Sequence, residues 1–161
     1  MDKLNSMRVL DQAGIPYTVH AFEAAHLSAV DVAERLGVDP ARVYKTLVAL
    51  PISGKPVLAM VPAAGSLDLK GLAKALGVKS ASMASQAEAE SLSGLQVGGI
   101  GALALRHKGW RLLLDRSALT VAGGRIFVSA GRRGINLEVA VADILRLLQP
   151  VVADLVRPTG G

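Results

Sequence analysis

At 161 residues, 51% of them apolar and 19% charged, the chain is long enough to bury a core and too apolar to be disordered. Eighteen Lys and Arg against 13 Asp and Glu leave a formal charge of +5, which favours an anionic partner with nucleic acid first in that class. With no cysteine, disulfides, thiolate nucleophiles and cysteine-based zinc sites are all excluded. In chain order, Leu4, Met7 and Leu10 predict a first helix that stops at Gly14, and Pro16 opens an extended piece from Tyr17 to Phe22. Ser28 with Asp31 forms a capping box for a helix ended by Gly37. Asp39-Pro40 reads as another cap and helix-start proline. Val43 to Leu50 and Lys55 to Pro62 read as two strands across the turn Pro51-Ile52-Ser53-Gly54. Asp68 caps a helix through Leu76, closed by Gly77, and a short Ala81-Ser82-Met83 strand follows. Ser85 and Glu88 make a second capping box, for a helix ended by Gly94, and Val97 to Gly101 is loop-like. Arg111 to Asp115, Arg125 to Ser129 and Ile135 to Val139 read as strands, the last two joined by Gly131-Arg132-Arg133-Gly134. Ala140 to Leu148 is the final helix before Pro150.

Helices and strands are interspersed without regular βαβ alternation, which predicts an α+β fold with a mixed, mostly antiparallel sheet. No internal repeat or linker divides the chain, so residues 1–161 read as a single domain with a core from about 7 to 148. The longest charge-free stretch, Ser91 to Leu105, is broken by glycines and falls short of the ~20 apolar residues that span a bilayer. Without a basic, then apolar opening, a cytoplasmic location and no membrane partner are expected. Tyr17, Phe22, Tyr44, Trp110 and Phe127 are the only aromatics. Stacking of successive bases is therefore a poor fit, and an RNA is expected to be gripped by its backbone and one end.

The usual catalytic kits are missing: His20, His26 and His107 have no metal spacing, and no Gly-x-Ser-x-Gly elbow raises a serine. No metal and no cofactor are expected. Lys45 is the first anomaly, since in a strand it shares a face with Val43, Leu47 and Ala49, while Thr46 falls on the opposite face. The ammonium either snorkels to a sheet edge or meets a phosphate at the mouth of a pocket. Gly98-Gly99 is the second, a pair that by itself reads first as a flexible connector and otherwise as a close-approach site whose amides point into a cavity. Ser129, just before the Arg132-Arg133 turn, is the third; beside a pocket those arginines could hold an RNA backbone.

At these residues the sequence resembles the YbaK/EbsC family of freestanding editing domains, related to the domain inserted in bacterial prolyl-tRNA synthetases. The matching strings run in order: Val43-Tyr44-Lys45-Thr46-Leu47, Pro62-Ala63-Ala64-Gly65, Leu67-Asp68-Leu69-Lys70, Ala73-Lys74-Ala75-Leu76-Gly77, Val97-Gly98-Gly99-Ile100, Val128-Ser129 and Arg133-Gly134. The resemblance is nearest to the branch that removes cysteine from mischarged tRNA(Pro). It implies a YbaK-like, partly barrel-like sheet flanked by helices. It also implies a deacylase that cleaves the ester between a wrong amino acid and the 3′-terminal adenosine of a tRNA. In that branch the substrate's own thiol attacks the ester carbonyl, so the protein needs no nucleophile. The family's essential lysine maps onto Lys45, its glycine loop onto Gly98 and Gly99, and its substrate pocket onto Thr46, Ser129, Phe22, Asn136 and Ile100. The chain departs from the pattern at Phe22, where relatives place a tyrosine, and at Asn136, where they place an aspartate. Gly101-Ala102 also replaces a Ser-Pro pair. These changes leave two alternatives beside cysteinyl-tRNA(Pro): an alanyl or seryl substrate, or a non-catalytic tRNA-binding regulatory domain. A chain this short has no room for an anticodon-binding body, so prolyl-tRNA synthetase is the expected source of tRNA identity. No DNA partner is expected.

Overall fold

The computed structural model describes residues 3–23 and 28–157. The expected α+β fold is present, with the strands divided between two sheets. The smaller sheet has β1 (Thr18–Ala21), β7 (Ile135–Ala140) and β6 (Arg125–Ser129) in that order, all antiparallel. The larger runs β4 (Ala81–Met83), β2 (Tyr44–Pro51), β3 (Val57–Pro62), β5 (Leu112–Asp115) and β8 (Val151–Ala153). Its first two pairings are antiparallel, and β3/β5 and β5/β8 are parallel. An isolated bridge, Val43 to Phe127, ties one sheet to the other, and the described strands form no closed barrel.

The helix ends follow the local chemistry. α2 (Ala29–Leu36) has a complete capping box: the Asp31 amide donates to Ser28 Oγ at 3.1 Å, and the Ser28 amide donates to the Asp31 carboxylate at 3.0 Å. α4 (Gln86–Ser93) repeats this with Ser85 and Glu88. α1 (Asn5–Gln12), α3 (Leu69–Leu76) and α5 (Val141–Leu148) complete the set. The expected helix at Asp39-Pro40 is only a 3-10 turn, Pro40–Arg42, because β2 begins at once.

The main core lies between the sheets. Tyr44, Val48, Leu58, Met60 and Leu114 of the larger sheet meet Ile126, Val128, Leu137 and Val139 of the smaller one. Leu10, Leu103 and Ile144 close its sides. The opposite face of the larger sheet packs Ala59, Val61 and Leu113 beneath Leu72 of α3, with Leu155 fully buried beside them. The core thus reaches past Leu148. β3 is buried on both faces, which is why it reads as an unbroken apolar run. A third cluster joins Ala33 of α2 to Val43, Ala63 and Phe127, fixing α2 over the seam between the sheets.

Candidate functional site

The seam opens into a cavity of about 380 Å³ walled by β2, the start of α4, the 97–100 loop and the ends of β6 and β7. Its position follows from an incomplete ladder. On the side of β2 away from β3, the bridge to Phe127 holds Val43, and the Ala84 amide donates to the Val48 carbonyl at 3.1 Å. Between those two ties no described strand pairs with β2. Side chains from both faces of an open edge reach the same opening, so Lys45 and Thr46 both line it although alternation separates them. The register adds a main-chain feature. Ala63 donates to the Val43 carbonyl at 2.7 Å, so odd-numbered residues of β2 bond toward β3. The N–H and C=O of Thr46 therefore aim toward the cavity, as the Val48 carbonyl aims toward Ala84.

Lys45 is half-buried and forms no hydrogen bond or ion pair with a described residue. It sits between the apolar neighbours Val43 and Leu47, and burial pushes its ammonium below the ordinary lysine pKa. Lys45 is the only titratable side chain among the described lining residues. The caps Ser28 and Ser85 both stand on the wall, so the positive ends of two helices face the opening, offset by the Asp31 and Glu88 carboxylates within the capping boxes. The cavity thus offers one half-buried cation with no counter-ion among the described residues.

Gly98, Ile100, Ser129 and Asn136 also line the cavity. Asn136 is 7% exposed and its amide side chain has no described partner, which leaves its donors and acceptor for a ligand. Ser129 Oγ accepts from the Gly131 amide at 3.2 Å. The glycine loop is tied at both ends of Val97, whose amide donates to Glu90 at 2.9 Å and whose carbonyl accepts from Arg133 Nε at 2.7 Å. Gly98 takes φ +92°, and its amide and that of Ile100 meet no described acceptor.

Gly99 plays a different part from its neighbour. Its amide donates to the Gln96 carbonyl at 2.7 Å, and it is not among the described lining residues. A Cβ there would lie 2.8 Å from the Arg133 amide nitrogen and 3.1 Å from the Arg132 carbonyl carbon. Its lack of a side chain therefore lets the loop seat on the Arg132-Arg133 turn. Phe22, also expected at the pocket, is half-buried, donates its amide to Gly134 at 2.8 Å and is not among the described lining residues. Met83 of β4 and Gln86 and Ala89 of α4 also line the cavity, and nothing local in the sequence says that those elements face Lys45. Of the histidines without metal spacing, His26 lies outside the described residues, and the described residues hold no cluster of three metal-ligating side chains. No described helix is long and apolar enough to cross a membrane.

Against known proteins, the family described as "Aminoacyl-tRNA editing domain" matches residues 23–147, which include every described residue lining the cavity. The chain belongs to the aminoacyl-tRNA editing domain family. This editing domain is 36% identical over 155 residues to the "Putative Cys-tRNA(Pro)/Cys-tRNA(Cys) deacylase EbsC" of Enterococcus faecalis, covering 95% of the chain and 93% of that protein. Among solved structures it matches the hypothetical protein APE2540 with a TM-score of 0.84 at 23% identity, covering 93% and 97% of the two chains. It matches "a putative trans-editing enzyme for prolyl tRNA synthetase" with a TM-score of 0.82 at 22% identity, covering 98% and 100%. At that identity the two structures establish the fold of the editing domain, and the family match carries the rest.

Proposed function

We propose that the protein is a trans-acting aminoacyl-tRNA deacylase that hydrolyses the ester of Cys-tRNA(Pro). The observation that carries this reading is a single half-buried ammonium, Lys45, in a cavity whose other described walls are uncharged and which lies beside the Gly98 and Ile100 amides, neither with a described acceptor. The EbsC name supports the cysteinyl substrate.

On this reading Lys45 receives the phosphate of the 3′-terminal nucleotide. Thr46 orients the aminoacyl group through its main chain, with the carbonyl accepting from the α-ammonium. Asn136 and Ser129 fill out the pocket for the side chain. The thiol of the substrate attacks the ester carbonyl carbon, and the carbonyl electron pair moves onto oxygen near the Gly98 and Ile100 amides. Collapse breaks the bond to the ribose oxygen, which takes up the thiol proton, and water later opens the cyclic thioester. Each well-aimed amide donor to such an oxyanion is worth about 10²–10³ in rate. Holding thiol and carbonyl together supplies the remainder by orientation. A protein base is not required, and the described lining residues include no carboxylate or histidine to act as one. A prolyl-tRNA synthetase partner would present the tRNA.

The test is a panel of purified cysteinyl-, alanyl- and seryl-tRNA(Pro) incubated with wild type and Lys45→Ala. Fastest cleavage of the cysteinyl ester and near-complete loss in the variant are expected. Binding of every substrate without turnover would instead favour a regulatory RNA-binding domain. Preference for the alanyl or seryl ester would move the specificity and leave the reaction class.

A further inference from the structure

A second depression, a shallow groove of about 550 Å³, lies between α1 and the segment that follows the glycine loop. Asn5, Arg8, Val9 and Gln12 line one wall at i, i+3, i+4 and i+7 of α1, and Leu103, Ala104, Arg106 and His107 line the other. No carboxylate is among these residues. Elsewhere four arginines pair with carboxylates, Arg42 and Arg125 with Glu138, Arg116 with Asp154 and Arg146 with Asp143, whereas Arg35, Arg111 and Arg157 have no described carboxylate partner and line no shared groove. In the groove, Arg8 donates to the neutral Asn5 Oδ1 at 3.1 Å as its one described side-chain partner, and Arg106 has no described partner; both are exposed. Arg132 stands exposed on the adjoining turn.

The groove adjoins the cavity through one turn. A Cβ on Gly131 would lie 2.7 Å from the Ala104 Cβ, so groove wall and turn are in contact. Gly131 is two residues from Ser129 on the cavity wall, a reach of about 7 Å. Ser6, fully buried on the inner face of α1, donates to the Ala130 carbonyl at 2.6 Å and fixes the helix against that same turn. Guanidinium forks flanked by neutral amides, without carboxylates, are the chemistry of phosphate oxygens.

We infer that this groove holds the phosphate backbone of the acceptor helix of the tRNA whose 3′ end enters the cavity, with Arg8 and Arg106 as its principal contacts. This deepens the proposed function and rests on it for the identity of the RNA. The test compares wild type, Arg8→Glu/Arg106→Glu, Arg8→Lys/Arg106→Lys and the distant control Arg116→Glu. The probes are an uncharged acceptor-stem minihelix ending in CCA, read by fluorescence anisotropy across a salt series, and a cysteinylated CCA trinucleotide, read by ester cleavage. The double glutamate variant should bind the minihelix at least tenfold more weakly. Its log–log salt slope should flatten by about 1.8, as two lost contacts to a duplex backbone require. Cleavage of the trinucleotide should stay within twofold, and the lysine variant should keep the slope. Unchanged minihelix affinity, a loss equal to that of Arg116→Glu, or an equal loss on the trinucleotide would overturn the assignment. Because anisotropy needs no turnover, failure of wild type to cleave any ester would sink the deacylase reading while the groove is still judged on the minihelix.

Discussion

Replacing Lys45 with methionine keeps most of the length and apolar stem of the side chain while deleting the charge. An ion pair at about 4 Å is worth about 4 kcal/mol at an effective dielectric of 20, or roughly three decades of rate or affinity. Lys45 is only half-buried, so water screens part of that, and a loss of about 10²-fold in kcat/KM on aminoacyl-tRNA is expected. Stability should move the other way. In the free protein the ammonium is disfavoured by burial without a described counter-charge, so Lys45→Met should leave stability unchanged or raise it by up to about 1 kcal/mol. The sign has a pH signature: the folded pKa lies below the unfolded value, so the cost is present at neutral pH. It fades as pH rises through the lowered pKa toward 10.5. The variant's advantage in urea melts should narrow over that range. The assay pairs single-turnover deacylation with those melts. Activity within threefold of wild type, or loss of activity together with a clear loss of stability, would refute the role given to Lys45.

Gly99→Ala should lower both stability and deacylation, by about 1–3 kcal/mol and tenfold or more, because the new Cβ meets the Arg132-Arg133 backbone; urea denaturation and the cleavage assay check it. Ser6→Ala should cost about 1–3 kcal/mol in the same melts, since it leaves the buried Ala130 carbonyl without its donor. Burial pushes the Glu138 carboxyl up, but hydrogen bonds from His20 and Arg125 outweigh it and hold it below the usual glutamate value. Its stabilisation is therefore full above about pH 4.5 and lost as pH falls through the lowered pKa, so wild type and Glu138→Gln should converge in melts at low pH.

Much of the fold is legible because the chain is punctuated. The Ser28 and Ser85 boxes and the glycines at 37, 77 and 94 mark three helices to the residue, and β4 and β6 fall where the apolar runs place them. β8 escapes because Val151–Ala153 has no strand signal of its own; it exists by lying parallel to β5. The division into two sheets is likewise a matter of distant pairing. At the cavity, Lys45 stands out as a charge in an apolar stripe. That Thr46 joins it depends on which stretch of β2 lacks a partner, and local alternation cannot express that. Adjacent glycines look alike in sequence, yet one faces the opening and the other cushions a neighbouring turn.

The unpaired stretch of β2 has an evolutionary corollary. The polar groups that Thr46 turns outward belong to the peptide unit, so no substitution other than proline can erase them. Surrounding side chains such as Gln86, Met83 and Asn136 are free to drift and re-tailor which cargo is accepted, while the peptide hook persists underneath. A scaffold of this kind can diversify its choice of cargo without having to reinvent its chemistry.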